Sequence, residues 1–267
     1  MTDFFGESWE ALLRFNKLDS FDKLWQLEAE WFEEPNQRRG GWSGVSRIVL
    51  LRPEGGEVGL FLKRQENHFC GSFFHPIRGK LTFEREFKKI RDFQRYQIPA
   101  LEPVFFGKKI VNGKHRAILM TKELEGFKPL SDPDYAPHGA LFSSRAKRKL
   151  LFSTLAEVMR KMHAHNIQHN CFYLKHIFVK EQEDGLLDVR IIDLEKARWH
   201  PLKSKVIQRD LNTLNRHAID WSLTDRMRFL LIYTQEQKLS AHSKVIWRNI
   251  AERVNRKRSR KEKQAKR

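Results

Sequence analysis

The chain has 267 residues, 40% of them hydrophobic, which suits one large domain or two closely packed lobes and argues against a disordered chain. Lysine and arginine number 51 against 33 acidic residues, a formal charge of +18, so the surface should attract polyanions such as nucleotides, nucleic acid, anionic lipid or phosphorylated sugars. No apolar run reaches membrane-spanning length, the N-terminal MTDFFGESWEALLRF lacks the basic and apolar regions of a signal peptide, and Cys70 and Cys171 make neither a disulfide framework nor a zinc knuckle, so a cytoplasmic protein is expected.

In chain order, Ser20 is a plausible helix cap, and Phe21, Leu24, Trp25, Leu27, Trp31 and Phe32 at roughly helical spacing predict a helix over 20–33, within an N-terminal helical extension over 1–37. Val45 to Leu51 and Val58 to Lys63 are β-rich and flank a turn at Arg52 to Glu57, which predicts a hairpin. Thr82 opens TFEREFKKIRDFQRY, where Phe83, Phe87, Ile90 and Phe93 form one apolar helical stripe. A second hairpin, Val104 to Ile110 and Lys114 to Glu123, turns at Asn112-Gly113. The order strand, strand, helix, strand, strand predicts a mostly antiparallel sheet carrying one helix over 38–126, with a boundary near 125–130.

Beyond that boundary the pattern turns helical. Leu151, Leu155, Val158, Met159 and Met162 mark a helix over 147–165 that stops at Asn166. Short strands at Ile177 to Val179 and Val189 to Ile192 flank the turn Glu183-Asp184-Gly185, bringing the segment before them and Asp193 to the two ends of one hairpin. Helices near 209–217, 223–235 and 242–255 complete an α-rich part over 127–247. In the tail, 248–267, ten Lys/Arg face only Glu252 and Glu262. That tail reads either as a solvated helix end or as a polybasic contact with anionic lipid or nucleic acid.

Phosphoryl transfer from ATP needs a cover over the phosphates, a lysine on a strand, an acid on the following helix and carboxylates that hold metal. Gly41, Ser43 and Gly44, in RGGWSGV just before the first β-rich run, are small enough to let backbone amides approach an anion, although such a run is also an ordinary turn signal. Lys63 closes the apolar run Val58-Gly59-Leu60-Phe61-Leu62, and Glu86 on the next helix is its expected partner, with Glu84 as rival. Asp193 follows two β-branched residues, Ile191 and Ile192, at a strand end, which suits a carboxylate aimed at Mg²⁺. His176 could supply a nitrogen ligand or a phosphate contact. Zinc on His163, His165, His169 and His176 fits the spacing less well than a loop does.

The segment His169-Asn170-Cys171-Phe172-Tyr173-Leu174-Lys175-His176, with Ile191-Ile192-Asp193 after it, has the spacing of a kinase catalytic loop H-R-D-x-x-x-x-N and its metal-binding strand. Together with RGGWSGV, FLKRQ, FEREF, ILMTKELEG, Arg209-Asp210-Leu211 and DRMRFLLIY, it resembles the lipopolysaccharide kinase (Kdo/WaaP) family, most closely its InaA-like branch, over nearly the whole chain. The resemblance implies an α+β, protein-kinase-like two-lobe fold with an antiparallel β-rich N-lobe bearing one helix and an α-rich C-lobe. It also implies ATP and Mg²⁺ as cofactors, and an anionic glycolipid, the lipopolysaccharide core, as acceptor.

Residue by residue, it makes Lys63 the phosphate-orienting lysine, Glu86 its partner and Asp193 the metal-binding aspartate. His169 opens the catalytic loop, His176 takes the metal-side position, and Glu123, in the segment leading to the lobe junction, joins the nucleotide-binding set. The departure is Cys171, which stands where the family carries the catalytic Asp. A thiol with an ordinary pKa near ~8.5 is mostly neutral at pH 7 and accepts hydrogen bonds weakly. His169 and Asp210 are the candidate substitutes. The expected function is an ATP-dependent kinase of a lipopolysaccharide core sugar, cytoplasmic or peripheral at the inner membrane. The alternative is a catalytically weak or inactive pseudokinase with a regulatory or scaffolding role in envelope stress. A nucleic-acid partner rests on charge alone and is set aside.

Overall fold

A computed structural model describes residues 3–38, 40–72, 75–137 and 139–252. They form two compact units, one of residues 1–92 with 101–125 and the other of 93–100 with 126–267.

In the first unit, chain order runs β1 (Phe4–Phe5), α1 (Trp9–Phe15), α2 (Phe21–Gln26), β2 (Trp31–Arg38), β3 (Gly41–Leu51), β4 (Glu57–Glu66), β5 (Phe69–Ser72), β6 (His75–Leu81), α3 (Thr82–Arg95), β7 (Pro103–Val111) and β8 (Lys114–Lys122). Six strands form one sheet in the order β1-β7-β8-β4-β3-β2, with every neighbouring pair antiparallel. Period-two alternation decides its faces. Along β3 and β4, Ile48, Leu50, Leu60 and Leu62 point into a core closed by Trp9 and Leu13 of α1 and Phe21 and Leu24 of α2. The other face receives α3, whose Phe87 stacks on Phe106 of β7 at 4.3 Å between ring centroids.

The helix read over 20–33 is shorter than the sequence suggests. Ser20 does cap α2, accepting from the Lys23 amide, but Leu27 at φ −58°, ψ 116° ends it, and residues from Trp31 onward form an edge strand. Adjacent aromatics that look like a helical stripe lie on opposite faces of a strand: Trp31 packs edge-on against Trp42 and Phe32 against Phe61. Pro35 is tolerated because β2 is at the sheet edge. The stretch over 1–37 therefore holds, besides α1 and α2, two strands hydrogen-bonded into the six-stranded sheet. The β5–β6 hairpin has no counterpart in the sequence reading.

The second unit continues with β9 (Lys128–Pro129), α4 (Arg145–Ala164), β10 (Ile167–Gln168), β11 (Ile177–Glu181), β12 (Leu187–Ile191), β13 (Arg198–Trp199), α5 (Lys203–His217), α6 (Leu223–Thr234) and a helix α7 over 241–252. Helix α4 buries Leu151, Leu155, Val158, Met159 and Met162, and the chain leaves it through Asn166 at φ 56°, the left-handed conformation that asparagine tolerates. Strands β11 and β12 pair as expected, with Ile177 opposite Ile191. Among the described residues no helix is long and apolar enough to cross a membrane. Most of the basic tail, residues 253–267, lies outside the described residues.

Candidate functional site

In the first unit the site begins with β4. Its alternation sends Leu62 and Arg64 toward α1 and α2, and Lys63 and Gln65 toward α3. Lys63 Nζ lies 2.6 Å from Glu86 Oε1, with the lysine 17% and the glutamate 5% exposed. Glu84, the rival, is engaged elsewhere: Lys88 and Lys108 each donate to it at 3.0 Å, and although burial pushes its carboxyl up, these bonds hold it below the usual range.

The alignment of Glu86 with Lys63 has a cause that the sequence reading missed. Buried Gln65, two residues beyond Lys63, accepts from the Phe83 amide and from Thr82 Oγ1, both at 2.7 Å, and donates to the His68 carbonyl at 2.9 Å. The strand that carries the lysine thereby caps the helix that carries its partner. A glutamine closing FLKRQ, two residues beyond the lysine, was the available signal.

Gly41, Ser43 and Gly44 are not an entry into the first strand. They lie at and beyond the tip of the β2–β3 hairpin, Gly41 opposite Arg38 and Ser43 between Asn36 and Gln65. A Cβ on Gly41 would come within 2.1 Å of the Glu66 carbonyl oxygen, and one on Gly44 within 2.6 Å of the Trp31 ring. Both glycines thus serve close approaches inside the protein. Glu123 is also occupied: its amide donates to the Gly59 carbonyl at 2.9 Å, and its carboxylate accepts from Arg47 at 2.9 and 2.8 Å.

In the second unit, the loop between β10 and β11 is tied to α5 by Asp210. This fully buried carboxylate accepts from the amides of His169 at 2.7 Å and Asn170 at 3.0 Å, and His163 Nε2 stands 3.4 Å away. His169 is buried as well, with Nε2 donating to the Ile192 carbonyl at 3.0 Å and Nδ1 accepting from the Cys171 amide at 3.2 Å. Burial lowers its pKa, so the ring is neutral. His169 and Asp210, named as candidate substitutes for a loop carboxylate, are fully buried and engaged in these contacts. Both are sealed from a dissolved acceptor, and both hold the loop backbone. Asp210 is a positioning residue.

Cys171 is buried too, and its carbonyl accepts from the Tyr173 amide at 2.7 Å and from His176 Nδ1 at 2.9 Å. Tyr173, whose hydroxyl pKa is raised by burial and then by the Cys171 side chain, packs against His217 at 4.2 Å with the two rings tilted. Burial pulls the His176 pKa down to about 4, so this ring is also neutral at pH 7. Among the four histidines weighed for zinc, His163 reaches Tyr233 and Asp210, and His165 stacks on Tyr96 at 3.9 Å.

Asp193 follows β12. Hydrogen bonding of the Ile192 amide to the His176 carbonyl at 3.0 Å sets it beside the loop, and its Oδ2 is 3.5 Å from His176 Nδ1. Its backbone is left-handed, φ 57° and ψ 57°, a strained conformation for a residue with a side chain. The carboxylate is 35% exposed. Mg²⁺ takes one or two protein carboxylates and completes its shell with phosphate oxygens and water, so Asp193 fits such an ion. His176 donates its Nδ1 hydrogen to the Cys171 carbonyl, and its imidazole is a softer ligand than Mg²⁺ prefers. Among the described residues no three His, Cys, Asp or Glu side chains gather to hold a metal by themselves.

The chain is 33% identical to Protein InaA of Escherichia coli (strain K12) over 202 residues, 75% of this chain and 89% of that one. It is 28% identical to the lipopolysaccharide core heptose(I) kinase WaaP of the same organism over 263 residues, 90% of this chain and 94% of that one. A solved structure of WaaP in complex with acyl carrier protein superposes with a TM-score of 0.66 at 18% identity, covering 97% of this chain and 99% of that one. The expected fold class, protein-kinase-like α+β with a β-rich and an α-rich part, is that of this structure. Residues 22–233 match the lipopolysaccharide kinase (Kdo/WaaP) family, and the chain belongs to that family.

Proposed function

We propose that this protein binds ATP with Mg²⁺ and transfers the terminal phosphoryl group, slowly, to a hydroxyl of a lipopolysaccharide core sugar at the cytoplasmic face of the inner membrane. The observation that carries this reading is the Lys63–Glu86 pair at 2.6 Å, because a lysine so held presents its ammonium at a fixed place to phosphate oxygens. Asp193 is the residue assigned to the metal. Mg²⁺, when bound, neutralises charge that develops on the phosphates. Phosphoryl transfer through a loose transition state depends more on positioning and electrostatics than on a base, so the absence of a carboxylate at Cys171 slows the reaction without abolishing it.

A second reading is favoured by the buried, hydrogen-bonded state of Cys171: a nucleotide-binding protein without phosphotransfer, acting as a regulatory module. Because the similar WaaP structure is a complex with acyl carrier protein, that carrier is also a partner to test on this chain.

Calorimetric titration of ATP, with and without Mg²⁺, on the native chain and on Asp193→Asn tests the shared part of both readings. Magnesium-dependent binding that weakens in the variant is the expected result; a well-folded native chain that takes up no ATP would end both. Label transfer from Mg-ATP to dephosphorylated core glycolipid then separates them, with turnover above the Asp193→Asn background supporting the kinase.

A further inference from the structure

Helix α4 begins RAKRK and has no acidic residue in its first turn, an arrangement that opposes the helix dipole and cannot be there to stabilise the helix. Arg145, Arg148 and Lys149 instead line a cavity of about 260 Å³ together with Arg228 of α6, over a floor that includes Phe152 and Leu231. Among the described residues one carboxylate answers these four cations. Asp225 stands 3.4 Å from Arg228 and 3.9 Å from Arg148, which leaves an excess of three positive charges. Arg148 is held in place over the Phe142 ring at 5.6 Å, and its buried Nε makes no hydrogen bond.

Next to this basin the chain exposes aliphatic side chains. Ile219 is 78% and Leu223 75% exposed, while Trp221 between them is buried and holds the segment to the core. Leu223 is the first residue of α6, two positions before the Asp225 that contacts both arginines. A soluble phosphate would need the cations alone. Cations beside protruding aliphatics match a membrane interface, where phosphates lie next to acyl chains.

We propose that the Arg145/Arg148/Lys149/Arg228 basin seats the phosphate of an anionic phospholipid headgroup while Ile219 and Leu223 enter the acyl boundary, docking the α-rich unit on a membrane surface. The site uses neither Lys63 nor Asp193, so it stands or falls independently of ATP binding.

The test is co-sedimentation of the full chain with phosphatidylcholine vesicles, with or without phosphatidylglycerol. Binding is expected only to the anionic vesicles. Arg145→Glu/Lys149→Glu should weaken it at least about tenfold, on a scale of about 1 kcal/mol per basic residue near the surface. Ile219→Ser/Leu223→Ser should weaken it several-fold, and Asp193→Asn should leave it unchanged. The control is Lys203→Glu/Lys205→Glu, the same change in charge on exposed residues at the far end of α5, roughly 20 Å along the helix from its Ile219 end. Circular dichroism and melting establish that each variant is folded. Equal loss in both charge-reversed pairs would mean diffuse attraction and overturn the proposal. So would glycerol phosphate binding that Arg145→Glu/Lys149→Glu removes, if the serine pair leaves vesicle binding intact; the basin would then be a soluble-phosphate site.

Discussion

The Lys63–Glu86 pair and the loop around Cys171 carry the same kind of residue in opposite states. The pair keeps a charged lysine 17% exposed beside a glutamate, held by a strand that caps the partner helix. In the loop, His169 and His176 are neutral, Asp210 is fully buried, and donors and acceptors are matched internally. The first arrangement is poised to meet an outside anion, and the second is built to keep its own shape. What the loop around Cys171 shows is a backbone held in shape by buried side chains.

Removing the loop's anchor should have the largest effect. Asp210→Ala leaves the amides of His169 and Asn170 and the ring of His163 without their acceptor, and each buried unpaired donor costs about 1–3 kcal/mol. A loss of about 4–6 kcal/mol in urea denaturation is expected. A loss below about 1 kcal/mol would show that Asp210 does not hold the loop.

Placing a carboxylate at position 171 sharpens the contrast. Under the proposed kinase reading, Cys171→Asp supplies a loop carboxylate whose general-base help is worth about 10²–10⁴-fold, so label transfer to core glycolipid should rise within that range. ATP affinity should stay the same, because the amide of Cys171 and not its side chain ties it to His169. A folded variant with no gain would assign the loop to shape alone.

The neutral histidines make the second unit sensitive to acid. A histidine neutral when buried binds its proton in the unfolded chain first, so its stabilising effect is complete above pH 6.5 and is lost as pH falls toward the folded value, about 4 for His176. For His176 the full loss is about 3 kcal/mol. His169 shifts the same way. Denaturation midpoints measured from pH 7.5 to 4.5 should fall steadily, and His176→Asn should flatten the slope. A native slope that is already flat would contradict the burial of both rings.

Strand alternation and a helical stripe put Lys63 and Glu86 on facing elements, and both were legible from local pattern. Asp210 entered the sequence reading within Arg209-Asp210-Leu211 and as a stand-in base, and not as the loop's anchor, because its partners lie 40 and 41 residues away and a long-range hydrogen bond leaves no periodic trace. Gln65 stood in sight within FLKRQ, but its bond to the Phe83 amide 18 residues on leaves no periodic trace either, and β2 was misread because two adjacent aromatics satisfy a helical count as easily as the two faces of a strand. What the sequence concealed in each case was a pairing between distant segments.

The smallest effect should come from Glu123, grouped with the nucleotide-binding residues by resemblance. Glu123→Gln removes one charge from a contact with the surface residue Arg47 and keeps the amide that donates to Gly59. A surface ion pair is screened by water and salt, so the fold should tolerate the change without measurable loss. ATP affinity should move less than about threefold, whereas Lys63→Met, which removes the cation proposed to meet phosphate, should cost more than about tenfold, or 1.4 kcal/mol. Calorimetry on the two variants side by side decides between a site centred on Lys63 and one that extends to Glu123. If Glu123→Gln weakens ATP as much as Lys63→Met does, the carboxylate that now holds Arg47 must be released to the nucleotide when it binds.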